Sequence, residues 1–576
     1  MTAILRSFPP CNCRRPGNCV SSRRPSNDSP ACPGARPPSC IGGRMNGMGV
    51  ERPLAGSEAD RAGLVIVLTL AAAVRVWGIQ RQSLFCDEVV EASIARLPWR
   101  QIITYPDGFP PLYHLVLSAW SRAFPSPESG RWISALFGVA AVYAGHRWAR
   151  HAAGSKAGLF AGLLLAISPL HVYLSQEMRA YALYFCLTGF ALMYFFEALA
   201  SNSRASWTGF ALSAGLAINT HYYAALLAGM LALALVYYRR SWIELRRGVA
   251  AFICLAALSA PALMLLPGDV AYQSEGFAGR APLLATLAHT AYSFFGGFSL
   301  GPSLTELHVL PMRSAAIKAA PWAAFFGVIG LWLLWQGWLD LRRRRFGAAI
   351  VVLALASAPA IGAAGALAGV GPKVRYWCWI LLPLVVWLAA GTARGWHGRC
   401  RLATRIAFAA LATAQLFAVV NRHVDEAYAI EDVRSAAELI REKAAPGAPV
   451  AVVADYMAPT ARYYLDGAAT LYGWLPYIDH GPASAVVGAI SGRAYQWTVF
   501  PRNDSEVRGS RPFDRAAIDE WLRAVREISP DGKFWLIYSR EYHGDPGGLL
   551  LEHLQQSGIA ELESQFPGVR VFRGRL

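Results

Sequence analysis

Charge is scarce in this chain of 576 residues: Asp, Glu, Lys and Arg together make up 16%, against roughly 25% in soluble globular domains. That scarcity excludes an ordinary soluble enzyme. A hydrophobic content of 55% and a mean hydropathy of +0.31 exclude disorder of the bulk. Ten cysteines are too few for a disulfide scaffold, and no collagen-like repeat appears. The sequence also lacks a Gly-rich phosphate loop, a metal-spaced His/Cys set and a Gly-x-Ser-x-Gly elbow.

What is present is apolar sequence in blocks. Near the ~20 residues needed to cross ~30 Å of hydrocarbon are 62–79, 132–149, 157–173, 181–200, 207–220, 222–238, 249–266, 321–338, 348–370, 377–391 and 403–420. The stretch 111–124 is shorter and carries His114, Ser118 and Ser121, so it reads as an amphipathic helix in the interface. Charge tests this choice. Eleven spans from a cytoplasmic start put Arg147, Arg150 and Lys156, then Arg239, Arg240, Arg246 and Arg247, then Arg342 to Arg345, then Arg394, Arg399, Arg401 and Arg405 on one side. The other side receives only scattered cations, as the positive-inside rule requires. The net charge of +17 thus marks cytoplasmic loops, not nucleic-acid binding.

The expected organisation follows. Residues 1–60, which hold Cys11, Cys13, Cys19, Cys32 and Cys40, read as a disordered leader or an over-called start, with translation from Met45 or Met48. The cysteine spacing hints at zinc, but no histidine accompanies it. Residues 61–421 form an α-helical polytopic membrane domain with outer loops 80–131 and 267–320, and 422–576 an extracytoplasmic α/β domain. In that tail, 431–443, 515–528 and 547–556 have helical patterns, whereas 450–454, 534–538 and 569–572 read as extended. Asp455 ends a strand, a common place for an aspartate as well as a tempting site.

Candidate chemistry collects on the outer side. Asp87 and Glu88 follow the first span; repulsion and lost hydration can raise one carboxyl into a usable base. Helix capping by Asp87, with Glu88 and Glu91 in a first turn, explains the same residues equally well. Tyr113 and His114, after Asp107 and Pro110-Pro111, read as interfacial anchors or as contacts to a lipid head group. Glu177, Arg179 and Tyr181 fill a turn between two spans, as a structural ion pair or an anion site. His221 with Tyr222, and Lys373 with Arg375, lie at outer ends of other spans; interfacial anchoring accounts for each singly, and the two cations beside aromatic rings also suit a lipid phosphate.

Taken together, Asp87-Glu88, Phe109-Pro-Pro-Leu-Tyr113, Arg131-Trp-Ile-Ser-Ala and Ser175-Gln-Glu-Met-Arg-Ala-Tyr181 resemble the GT-C class of membrane glycosyltransferases. More narrowly, they resemble the dolichyl-phosphate-mannose protein mannosyltransferase superfamily in its bacterial, lipopolysaccharide-type branch. The resemblance implies a GT-C fold of about eleven transmembrane helices with a C-terminal α/β domain. It implies a hexosyl- or pentosyltransferase that takes a sugar, with inversion, from a polyprenyl-phosphate carrier at the outer face of a bacterial inner membrane. The implied acceptor is an envelope lipid, glycan or protein, with membrane lipids as surroundings and no nucleic acid. Asp87 becomes the base, Glu88 a neighbour that orients the sugar or tunes that base, Glu177 and Arg179 contacts to donor or acceptor, and Lys373 and Arg375 the phosphate holders. The resemblance singles out no cofactor, and a divalent cation stays open beside Arg and Lys as the neutraliser of the leaving group. A transporter or flippase of a lipid-linked glycan and a non-catalytic assembly protein are the competing readings.

Overall fold

The computed structural model describes residues 58–104, 108–275, 283–371, 373–454, 457–466, 487–490, 496–499 and 513–576; the cysteine-rich leader, Asp107 and Asp455 lie outside them. The helices run in chain order as α1 (Glu58–Val76), α2 (Cys86–Ile94), α3 (Trp99–Thr104), α4 (Leu112–Ala123), α5 (Gly130–Ala153), α6 (Ser155–Ile167) and α7 (Pro169–Ser175). Then come α8 (Tyr181–Ser201), α9 (Arg204–Ile218), α10 (Ala224–Tyr238), α11 (Trp242–Glu275), α12 (Leu283–Gly296) and α13 (Leu304–Val309). The helical part ends with α14 (Met312–Leu341), α15 (Gly347–Ala368), the 3₁₀ turn Val374–Ile380, α16 (Leu381–Gly395) and α17 (Arg401–Val424).

All eleven apolar blocks are therefore helical. By length and apolarity, six helices among the described residues qualify as membrane spans, and seven with the bent pair α6–α7. The segment 267–320, expected as an outer loop, is partly taken up by the helices that flank it. Pro267, the first residue of the expected loop, lies inside α11, which runs on to Glu275, and α14 already starts at Met312. A proline costs one backbone bond and kinks a helix, but need not end it where neighbours re-satisfy the backbone.

The 60° break between α6 and α7 has a local cause. Pro169 starts a new helix, so the last carbonyls of α6 lose their partners. Arg75, fully buried on α1, supplies them: its Nη1 donates to Ala166 O at 3.0 Å and its Nη2 to Leu165 O at 3.2 Å. Nε donates to Ser175 Oγ, and Nη2 lies 2.8 Å from His171 Nδ1. A guanidinium inside the bundle is thus held by helix-end dipoles rather than by a carboxylate.

The arginine runs behave in the same way at one end of the bundle. Arg344 donates to Ala153 O, Arg345 to Leu199 O and Tyr238 O, and Arg247 to Asn202 O. These carbonyls end α5, α8 and α10, where a cation is favoured. The other end of α5 carries Arg131, about 33 Å away at 1.5 Å per residue.

After α17, α18 (Val433–Lys443) and α19 (Ala458–Asp466) flank a six-stranded sheet of β1 (Pro449–Val453), β2 (Val487–Ile490), β3 (Gln496–Val499), β4 (Lys533–Ser539), β5 (Ala560–Phe566) and β6 (Val569–Arg575). The order is β2-β3-β1-β4-β6-β5, with β1 parallel to both β3 and β4. The helices Arg515–Ile528 and Leu549–Gln556 complete this α/β part. It does not stand apart from the helical bundle, since Gly56–Leu576 form one compact unit. Cys86 and Phe85, at the start of α2, pack among Val450, Val452, Ala454 and Met457. Ser83 donates to Asp432, and Arg434 pairs with Glu128 at 2.7 Å.

Candidate active site

The site is built on α2. Phe85, in extended conformation, is the N-cap, so Cys86, Asp87 and Glu88 occupy the first turn. Successive helical residues point about 100° apart, while residues four apart share a face. Asp87 and Glu91 therefore look one way and Glu88 another.

Glu88 is fully buried, and its partners account for both carboxylate oxygens. Oε1 accepts from Arg131 Nε at 2.8 Å and Met178 N at 2.9 Å; Oε2 accepts from Arg131 Nη2 at 2.6 Å and Phe85 N at 2.9 Å. The remaining Arg131 hydrogens go to the carbonyls of Ile79, Gln82 and Ser83. Burial alone would raise the Glu88 carboxyl, but the Arg131 charge and these hydrogen bonds hold it below the usual range. This corrects the expectation for Glu88: with no exposed atom, it cannot orient a sugar. It caps α2 and pins the Asp87 turn to α5 and to the turn before α8.

Asp87 is not the cap; its carboxylate faces a cluster of cations. Oδ2 lies 3.5 Å from Arg375 Nη1 and 3.7 Å from Arg179 Nη2. Arg375 Nη1 is also 3.7 Å from Glu177 Oε1. Burial would raise the Asp87 carboxyl, but Arg179, Arg375, Lys373 and Arg540 hold it down at about 2. Glu177, 3% exposed, goes the other way: burial outweighs Arg375 and raises it, helped by Glu88. Two carboxyl groups beside one guanidinium thus shift in opposite directions, a pattern typical of acid–base sites.

The cations rest on an aromatic wall. The Arg375 guanidinium is 5.4 Å from the Tyr181 ring, and that of Arg179 lies 5.9 Å from Tyr181 and 5.8 Å from Phe109. His221 completes the wall, stacked on Tyr184 at 4.6 Å and 5.0 Å from Tyr376. Burial pushes the His221 imidazole down to about 3, so it is neutral there, and its Nε2 is buried without a hydrogen-bond partner.

The other expected residues lie around this centre or away from it. Tyr113 and His114 do not face a lipid head group: they are 1% and 3% exposed, because α4 turns that face into the protein. His114 Nε2 sits 2.7 Å from Glu91 Oε2, and Glu91 Oε1 is 3.0 Å from Arg179 Nη1. Tyr222 stays apart, donating to Asp269 of α11. Lys373 is half-buried and its charge acts on Asp87. Sequence reasoning missed the parts played by Glu91, Arg131 and Arg540. The four-residue spacing of Asp87 and Glu91 was the signal for the first; nothing local pointed to Arg540. Among the described residues no group of three or more His, Cys, Asp or Glu is arranged to hold a metal ion.

Comparison with known proteins follows the same line. Residues 110–264 match the family described as dolichyl-phosphate-mannose-protein mannosyltransferase. The structure is similar to that of ArnT from Cupriavidus metallidurans in the apo state, with 16% identity and a TM-score of 0.52 over 89% of this chain and 98% of that one. The same ArnT bound to undecaprenyl phosphate aligns over 89% and 98% at 14% identity and a TM-score of 0.48. An oligosaccharyltransferase from Archaeoglobus fulgidus, in complex with zinc and sulfate, aligns over 89% and 88% at 12% identity and a TM-score of 0.44. No curated protein sequence matches the chain. Residues 110–264 are thus similar to the dolichyl-phosphate-mannose-protein mannosyltransferase family, and the chain as a whole shares the fold of bacterial ArnT.

Proposed function

We propose that this protein transfers a hexose or pentose from a polyprenyl-phosphate carrier to a cell-envelope glycan, lipid or protein, with inversion, at the outer face of a bacterial inner membrane. The observation that carries this reading is the meeting of Asp87 with Arg179 and Arg375, groups as far as 288 residues apart in sequence. A carboxylate beside two guanidinium groups suits the two demands of the reaction: a proton acceptor for the incoming hydroxyl and fixed positive charge for a departing phosphate. The family match over 110–264 supports a lipid-phosphate sugar as donor.

In this mechanism the acceptor oxygen attacks the anomeric carbon while the bond to the phosphate oxygen breaks. The electron pair leaves with the polyprenyl phosphate, and the hydroxyl proton passes to Asp87. The phosphate recruits Arg375 and Arg179, which weakens their hold on the carboxylate and restores its basicity as the donor binds. The side assignment rests on the arginine-capped helix ends, which lie opposite the site and follow the positive-inside pattern.

The test is complementation. A strain lacking the protein is analysed by mass spectrometry of its envelope glycolipids and glycans, which identifies the missing sugar. Wild type restores it, and Asp87→Asn, present at equal level in the membrane, does not. Full restoration by Asp87→Asn would refute the assignment, and carrier movement between leaflets without a new glycosidic bond would favour a flippase.

A further inference from the structure

Helix α2, which bears Asp87, has nine residues. Isolated helices shorter than about 12–15 residues are marginal in water. Its N-cap is Phe85, which offers no side-chain acceptor in place of the usual Ser, Thr, Asp or Asn. The direction in which Asp87 points is therefore set from outside the helix. On the bundle side Arg131 grips Glu88.

The residues just before Asp87 are gripped from the C-terminal α/β part, one after another. Ser83 Oγ donates to Asp432 Oδ1 at 2.9 Å and accepts from Arg434 N at 3.1 Å, where α18 begins. Leu84 N donates to Tyr464 Oη of α19 at 2.7 Å. The Phe85 ring lies under the Arg540 guanidinium at 4.5 Å, and Arg540 is itself fixed by Nε donating to Glu431 Oε1 at 2.6 Å. Cys86 packs with Val450, Val452 and Ala454. Arg540 follows β4 at φ 51°, in the left-handed region that a non-glycine residue keeps only where its surroundings enforce it. Apolar docking of two surfaces would spread its contacts along the whole first outer loop. Here directed polar contacts fall on consecutive residues and stop where the reactive carboxylate begins. A reacting group misplaced by about 1 Å can lose on the order of 10²-fold in rate.

We propose that the α/β part is a positioning element for transfer: Tyr464 and Arg540 are positioning residues that hold the turn 83–86 so that Asp87 faces Arg179 and Arg375. The purpose of this clamp rests on the transferase reading, but its action on α2 can be measured without it. The charge of Arg540 is also among those acting on Asp87, which agrees with the adjacency.

The experiment compares wild type with Tyr464→Phe and Arg540→Met, each as full-length protein in nanodiscs. Amide hydrogen exchange over 84–94, read by mass spectrometry, is expected to quicken about tenfold in both variants, the scale of one lost hydrogen bond or cation–π contact. Exchange over 534–537 of β4 stays unchanged, which shows that the α/β part is folded. Binding of undecaprenyl phosphate, measured by native mass spectrometry, is expected to stay within about threefold, because Arg179 and Arg375 are untouched. In a complemented strain, the rate at which the missing sugar returns to the envelope after induction falls at least about tenfold at equal protein level. The inference falls if exchange over 84–94 is unchanged, if the sugar returns at the wild-type rate, or if carrier binding weakens as far as the rate does. Unchanged exchange with an inactive Asp87→Asn sinks this inference alone; quickened exchange with intact transfer in Asp87→Asn sinks only the transferase reading.

Discussion

Replacing Glu88 by Gln separates a structural carboxylate from a chemical one. The glutamate accepts four hydrogen bonds, two of them from Arg131, and neither residue is more than 2% exposed. Glutamine keeps the shape, but it loses the charge and turns one acceptor position into a donor facing donors. Removing one partner of a buried pair costs about 3–5 kcal/mol, because the other charge is left uncompensated. Thermal unfolding in detergent should therefore show a Tm several degrees lower for Glu88→Gln. Arg131→Met should fall similarly, and the double variant Glu88→Gln/Arg131→Met should recover part of the loss, since no lone buried charge remains. Residual transfer should scale with the folded fraction at the assay temperature. A Glu88→Gln protein as stable as wild type but as inactive as Asp87→Asn would refute this reasoning and return Glu88 to the chemistry.

Three further outcomes follow from the same cluster of charges. The Asp87 carboxyl, at about 2 instead of 3.8, stabilises the fold by about 2 kcal/mol at neutral pH by linkage. This contribution is complete above its unfolded value and disappears as pH falls through about 2. The Tm gap between wild type and Asp87→Asn should therefore be constant from pH 7 to 5 and close below pH 4. Glu177 has the opposite sign: burial raises its carboxyl, so ionising it destabilises the fold as pH rises above 4.5. Glu177→Gln should then raise Tm at pH 7 and leave it unchanged near pH 4, while lowering transfer; a lower Tm at pH 7 would contradict this. Glu91→Gln frees one side of Arg179, so the KM for the lipid-linked donor should rise more than kcat falls, with Arg375→Lys as a comparison that also weakens donor binding.

Sequence alone determined the membrane part, because an apolar block long enough to cross hydrocarbon has few alternatives to a helix, and the arginine runs order those helices end to end. It also brought out Asp87, Glu177, Arg179 and Arg375, since charges beside such blocks are costly unless they are used. It could not tell Asp87 from Glu88. Adjacent residues differ by a third of a turn, and only the position of Arg131 on α5 decides which carboxylate is consumed by the fold. The extent of α11 past Pro267 was also hidden, as was the polar edge strand β5, whose short alternation Ala560-Glu-Leu-Glu563 is broken by an irregularity between Leu562 and Ser564. The meeting of residue 87 with residue 375 and the placement of Arg540 against Phe85 were decided by tertiary packing alone, because electrostatic contact depends on distance in space and sequence separation carries no measure of it.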